Sequence, residues 1–264
     1  RKPTPSQIKE KNIIYRAPCG YPSFIIKEST SLERKEVLVS PDIAFCHECL
    51  RELKDNFDRR RQYPFINCTN CGPRFTIIKD LPYDRPLTTM KKFRMCPSCH
   101  NEYEDIFRRR YHAEPNACPR CGPEIELIKS RKYGRGSVDS SKYSDHSLKG
   151  LEALKAAIRH LEKGEIVGIK GLGGFHLACD ATNGVTIEML RKRKGRPYKP
   201  FAFMVRDMET AKENCFVSRE EGDFLSGWQK PIVLLRKREG SKISDLVAPR
   251  NNCLGVMFPY TPLH

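Results

Sequence analysis

Eight cysteines in four C-x-x-C pairs constrain this chain more than any other feature. The pairs are Cys46/Cys49, Cys68/Cys71, Cys96/Cys99 and Cys118/Cys121. Each half reads C-x2-C-x18-C-x2-C, and the second half repeats the first 50 residues later at every cysteine. Two intervening residues let one turn aim both sulfurs at one point, and four thiolates suit a tetrahedral ion such as zinc. Four thiolates leave no open coordination position, so the eight residues are expected to hold two structural zinc ions, not catalytic ones. The duplication argues that each unit closes its own site, with a pairing interleaved across the repeats left open. A four-cysteine iron–sulfur cluster is the minor alternative. His47, His100 and His112 read as surface residues, because each repeat already supplies four sulfurs.

The repeat extends beyond the cysteines. Glu52/Glu102, Asp55/Asp105, Phe57/Phe107, Arg59/Arg109, Arg60/Arg110, Gly72/Gly122 and Pro73/Pro123 share the same offset. A unit this small cannot bury a full core, so metal has to supply folding energy, on the order of 10 kcal/mol or more per site. Phe57 and Phe107 are expected to be small apolar plugs beside the two sites. The runs Arg59-Arg60-Arg61 and Arg108-Arg109-Arg110 suit phosphate contacts with nucleic acid, or simply an exposed face.

Composition excludes some classes. With 48 Lys+Arg against 32 Asp+Glu, the formal charge is +16. Two all-thiolate zinc sites would lower it to about +12, still basic enough for a polyanion or a phosphate-bearing substrate. No stretch approaches the roughly 20 apolar residues that span a bilayer, and no signal-peptide pattern opens the chain. Paired cysteines without such a signal point to a reducing cytoplasm.

The expected organisation has four parts. Residues 1–39 form a linker or docking segment, and 40–128 hold the tandem units (40–75 and 90–128). Residues 129–147 are a flexible Ser, Gly and charge linker, and 148–264 are an α/β domain. The overall class is α+β. In the last part, Leu148, Leu151, Leu154, Ile158 and Leu161 predict an amphipathic helix. Strands are expected at 166–169, 201–205 and 232–235, and a helix from Thr186 to Lys194 ends at Gly195. Lys194 and Arg196, beside a glycine-rich turn at 171–174, suit an anionic phosphate. Lys170, His176 and Lys199 are weaker candidates, and His176 on its apolar background reads as a buried, satisfied histidine.

The stretches Cys68-Thr-Asn-Cys-Gly-Pro-Arg-Phe-Thr-Ile77 and Leu81-Pro-Tyr-Asp-Arg-Pro86 resemble the zinc-finger region of the HypF family. Those proteins are the carbamoyltransferases of [NiFe]-hydrogenase maturation. Ile169-Lys-Gly-Leu-Gly-Gly-Phe-His-Leu-Ala-Cys-Asp-Ala181 and Lys194-Gly-Arg-Pro-Tyr-Lys-Pro200 resemble the YrdC-like domain that follows in the same family. The resemblance covers nearly everything after residue 40.

It implies use of ATP (with Mg2+) and carbamoyl phosphate, a carbamoyl-adenylate formed in the YrdC-like domain, and delivery of the carbamoyl group to the terminal cysteine of a HypE-type partner. Lys194 and Arg196 match the family's Lys-x-Arg, which implies a role at the phosphates or the adenylate. The YrdC enzymes that make threonylcarbamoyl-adenylate carry a Thr-rich strand end where this chain has Gly171 to Gly174. Their motif tyrosine falls on Phe175, so a smaller acyl substrate is expected. The family's Ser-x-Asn-type loop, its acylphosphatase domain and its transferase domain are not within these 264 residues, and a partial chain is expected. The alternative is a basic zinc-ribbon and YrdC-type RNA-binding module, or a relative of the tRNA threonylcarbamoyl-adenylate synthases.

Overall fold

The computed structural model describes residues 11–20, 22–23, 39–128 and 147–264. Most of the expected docking segment and nearly all of the expected 129–147 linker lie outside the described residues. Residues 11–20 are exposed and carry no helix or strand.

Each cysteine unit is built on one short helix, α1 (His47–Lys54) and α2 (Pro97–Glu104). Cys46 and Cys96 occupy the two N-cap positions in extended backbone and make no side-chain cap. Their sulfurs gather with those of the other three cysteines of the same unit. Pro97 at the first helical position costs no hydrogen bond there. Ser40-Pro41-Asp42, a helix or turn start by residue type, carries no helix. Asp42 instead accepts from the backbone N–H of Arg74 (2.7 Å) and Thr76 (3.1 Å), tying the entering chain to the second cysteine pair.

After each helix comes an Asx turn. Phe57 N–H donates to Asp55 Oδ1 and Phe107 N–H to Asp105 Oδ1, both at 2.9 Å. These turns throw the aromatic rings outward: Phe57 is 98% exposed and Phe107 90%. The two phenylalanines are thus not apolar plugs. The apolar packing around the first site comes from Tyr63, Ile66, Ile77, Met90 and Ala117, with the cysteines themselves.

The chain leaves the second unit through β1 (Glu126–Leu127) and returns through β2 (Leu148–Lys149), which pair antiparallel. Next comes α3 (Gly150–Glu162). Its buried residues are Ala153 and Ala156, whereas Leu151 and Ile158 of the expected apolar face are exposed. Small side chains let this face approach its neighbours closely, leaving Leu154 and Leu161 only half-buried beside it.

A hairpin of β3 (Val167–Lys170) and β4 (Phe175–Ala178) pairs Lys170 with Phe175, and Gly171 to Gly174 form its turn. α4 (Gly184–Lys194) is capped by Asn183, whose side chain accepts from Thr186 N–H, and ends on Gly195 at φ 58. That left-handed conformation favours glycine. A separate three-stranded sheet holds β5 (Ala202–Met204), β6 (Val233–Arg236) and β7 (Cys253–Met257) in the order β5-β7-β6. β5 runs parallel to β7, and β6 antiparallel to it. α5 (Met208–Asn214) and α6 (Arg219–Ser226) cover it, α6 starting on a Ser218/Glu221 capping box. Phe203, Leu235, Leu254 and Val256 from the strands meet Ile187 of α4 and Leu225 of α6 in the core. Each such residue contributes about 1.5–3 kcal/mol by burial.

Candidate metal centres and phosphate loop

The eight cysteines converge as two separate tetrads, Cys46/Cys49/Cys68/Cys71 and Cys96/Cys99/Cys118/Cys121. The pairing is therefore sequential, each repeat closing its own site. In the first, Cys46–Cys68 and Cys68–Cys71 are 3.7 Å apart and Cys49–Cys71 3.5 Å. In the second, the matching separations are 3.8, 3.7 and 3.6 Å. Sulfurs 2.3 Å from a central ion stand about 3.8 Å from one another at tetrahedral angles, so the donor set fits one mononuclear ion such as zinc. The separations are far too long for disulfides, and every cysteine is free. A cluster with one iron behind each thiolate would hold the sulfurs further apart. His47, His100 and His112 are exposed and belong to neither tetrad.

The arginine runs are partly turned inward, with Arg60 and Arg110 buried. Arg59 donates to Cys99 Sγ through both terminal nitrogens (3.4 Å) and pairs with Glu102 (2.6 Å). Arg60, 1% exposed, donates to Glu102 (2.5 Å), Asn116 Oδ1 (3.0 Å) and the Ala117 carbonyl (2.8 Å). The second repeat returns the same contacts. Arg109 reaches Cys49 Sγ (3.7 Å) and Glu52 (2.6 Å), and buried Arg110 holds Glu52 and the Asn67 carbonyl (3.0 Å). Burial pushes the Glu52 and Glu102 carboxyls up, but the arginine hydrogen bonds outweigh it and hold both below the usual value. Arg61 and Arg108 are the members of the runs that remain exposed without a partner in the other repeat.

Around the first ligand loop, Arg74 donates to the carbonyls of Cys68, Thr69, Cys71 and Pro73 at 2.8–3.3 Å. The second unit has Glu124 at the matching place, so this clamp is not duplicated.

In the α/β half, Lys194 is the exposed last residue of α4, Arg196 and Lys199 lie on the exposed segment after it, and among the described residues none of the three forms an ion pair. The loop is held from below by Arg191, 5% exposed. Its Nη1 donates to the carbonyls of Arg196 (2.7 Å), Pro197 (3.2 Å) and Lys199 (3.1 Å). Its Nε and Nη2 donate to Leu246 O (2.6 Å) and Val247 O (3.0 Å). The guanidinium also sits 4.5 Å from the centre of the Phe201 ring. Sequence reasoning passes over Arg191 because a cation inside a basic helix end looks like any surface arginine.

Lys170 and His176 sit elsewhere, on the β3/β4 hairpin. Lys170 Nζ lies 4.7 Å from the Phe175 ring centre. His176 is exposed, not buried as expected. Its Nε2 shares a 2.9 Å hydrogen bond with the Tyr260 hydroxyl, and its ring meets that of His264 edge-on. Among the described residues, no hydrogen bond or ion pair joins this group to the 194–199 loop. Cys179 is partly buried, and burial raises its thiol pKa, so it is not an activated nucleophile.

Two cross-braced four-cysteine units joined to a YrdC-type α/β segment define the class. Comparisons with known proteins agree. The HypF finger family matches residues 45–78 and 95–128, and the Sua5/YciO/YrdC family, described as telomere recombination, matches 159–264. The carbamoyltransferase HypF of Synechocystis sp. is 46% identical over 262 residues, covering 99% of this chain and 32% of that protein. The carbamoyltransferase HypF2 of Cupriavidus necator is 47% identical over 241 residues, 90% of this chain and 28% of that one. Among solved structures, full-length HypF in its phosphate- and nucleotide-bound form superposes with a TM-score of 0.74 at 48% identity, over 86% of this chain and 28% of that one. HypF of T. kodakarensis gives 0.77 at 48%, over 88% and 29%. The chain is thus homologous to a part of the HypF carbamoyltransferases and spans about a third of the length of the curated relatives it matches.

Proposed function

We propose that the protein containing this chain is an ATP-dependent carbamoyltransferase. It takes the carbamoyl group of carbamoyl phosphate through carbamoyl-adenylate and delivers it to the C-terminal cysteine of a HypE-type partner in [NiFe]-hydrogenase maturation. The observation that carries this is the 46–48% identity to HypF proteins through both the finger units and the YrdC-type segment. A full-length relative crystallised in a phosphate- and nucleotide-bound form supports nucleotide use by the whole protein. No described helix is long and apolar enough to cross a membrane.

The chain's own residues divide the labour. Lys194 and Arg196 hold phosphate oxygens, Arg as a bidentate donor and Lys as a point charge, and offset charge that grows as the adenylate forms. Lys199 supports them from the same loop, while Lys170 and His176, on the separate hairpin, have no contact with it among the described residues. Arg191 holds the loop in place. Two zinc ions in the four-cysteine sites supply folding energy and no chemistry, since all four positions are filled by sulfur.

The test is carbamoyl-phosphate-dependent ATP–pyrophosphate exchange by the full-length protein. Removing both phosphate donors, Lys194→Ala with Arg196→Ala, should slow exchange roughly tenfold or more. An unchanged rate would reject the phosphate role.

A further inference from the structure

We propose that the two four-cysteine sites are one cooperative metal-binding unit, coupled by the exchange of arginines between the repeats. This rests on the reading of both tetrads as metal sites.

Each repeat supplies to the other what its site lacks. Four thiolates on a divalent ion leave a net charge of −2 per site. At the first site Arg109 donates to the Cys46 and Cys49 sulfurs, with Arg110 beside it on Glu52, and at the second Arg59 and Arg60 donate to the Cys99 sulfur. Neither repeat neutralises its own thiolates. Donors to a metal-bound thiolate hold its lone pairs in place and disfavour its loss from the ion.

The backbone is exchanged too. Arg60 Nε donates to the carbonyl of Ala117, the residue before Cys118, and Arg110 Nε to that of Asn67, the residue before Cys68. The third ligand of each site is thus seated by an arginine from the other repeat. Thr69 N–H donates to the Arg109 carbonyl (3.1 Å), and its hydroxyl to that of Tyr111 (2.9 Å). Asn67 Nδ2 reaches the Pro115 carbonyl (2.9 Å), and the Tyr63 hydroxyl the Pro123 carbonyl (3.1 Å).

A route for coupling follows from chain order. Metal at the first site fixes Cys46 and Cys49, and with them α1. The end of α1 launches the Asp55 turn, which sets Arg59 and Arg60 against the second site. α2 and the Asp105 turn do the same in the other direction. A repeat without metal lacks the core to hold its turn alone, so its arginines are withdrawn from the filled neighbour. Filling one site therefore raises the affinity of the other, roughly tenfold or more on the usual scale of coupling between sites.

The experiment is chelator competition on the full-length protein loaded with Co2+, read by thiolate-to-cobalt charge-transfer absorption, which reports only sulfur-bound metal. The first site is ablated by Cys46→Ser with Cys49→Ser. The surviving second site is expected to release cobalt at a chelator concentration at least about tenfold lower than in the unaltered protein. Arg109→Met, which leaves all eight ligands intact, is expected to weaken retention at both sites, and Arg109→Lys to restore only part of it. If the surviving site keeps its metal as tightly as in the unaltered protein, or Arg109→Met weakens the first site alone, the coupling is refuted. Absence of the band altogether would instead refute the metal assignment on which the proposal stands.

Discussion

Replacing Arg191 by methionine tests whether one buried cation sets the shape of the phosphate loop. Methionine keeps most of the aliphatic stem, so the loss is chiefly the guanidinium. Three short bonds go first, to Leu246 O (2.6 Å), Arg196 O (2.7 Å) and Val247 O (3.0 Å). Hydrogen bonds to a charged group contribute about 1.5–3 kcal/mol each. The sum overstates the effect, because Val247 O also accepts from Phe201 N–H at 2.9 Å and the exposed 196–199 carbonyls can turn to water. A net loss of roughly 3 kcal/mol is expected, on the order of 10 °C in Tm for a domain of this size. Because the freed segment carries Lys194 and Gly195, trypsin should cut between them faster than in the unaltered protein. Arg191→Lys should recover less than half of the stability, since a single ammonium cannot reach both Leu246 and the loop. In the exchange assay, KM for ATP should rise more than kcat falls, as the donors remain but are no longer held. A melting temperature and a cleavage rate both unchanged in Arg191→Met would refute the reasoning.

Other outcomes follow from the same contacts. Gly122→Ala should strongly destabilise the second unit, because a Cβ there would stand 2.1 Å from the Tyr63 hydroxyl and 2.5 Å from Ala117 Cβ; thermal melts showing a loss under about 1 kcal/mol would contradict the packing. Glu114, 4% exposed, has its carboxyl pKa pushed up by burial, partly offset by the Tyr103 hydroxyl at 3.0 Å. Its folded pKa thus lies above the unfolded one, and the stability from its protonated form is present below the unfolded value and lost as pH rises through the folded value. Glu114→Gln should remove that fall and leave stability at pH 7 equal or up to about 1 kcal/mol higher, while Tyr103→Phe should cost about 1–2 kcal/mol, both read by denaturant titration. Chelating metal under reducing conditions should abolish amide protection in 40–128 but spare the 202–257 core, as followed by hydrogen exchange. Metal analysis of the intact segment should count two thiolate-bound zinc ions.

Much of the fold is legible in the sequence because its signals are local. Gly195 marks the end of α4 because the cap needs a residue that tolerates positive φ. The strands expected at 166–169, 201–205 and 232–235 lie within a residue or two of β3, β5 and β6. The differences are all decided by tertiary context. The leucine stripe of α3 is a sound helix signal, yet it is the alanine face that packs. Phe57 and Phe107 repeat like core residues, but the Asp55 and Asp105 turns place them in solvent. His176 lies among apolar neighbours in sequence and is nonetheless open to solvent beside Tyr260.

Cysteine spacing alone is enough to point to a pair of four-thiolate clusters that suit a metal ion, because ligand geometry is a short-range demand: two residues between sulfurs, and a duplicate 50 positions on. The residues flanking the cysteines, together with Lys194 and Arg196, are enough to point to the family. Spacing leaves open whether each repeat closes its own tetrad, and it says nothing of which residues neutralise the thiolates. Tetrad closure rests on contacts 22 residues apart, such as Cys46 on Cys68, and neutralisation on contacts 40 to 60 residues apart, such as Arg59 on Cys99 and Arg109 on Cys49. Charge compensation depends on where guanidinium groups arrive in space, and only the packing of one repeat against the other brings them there.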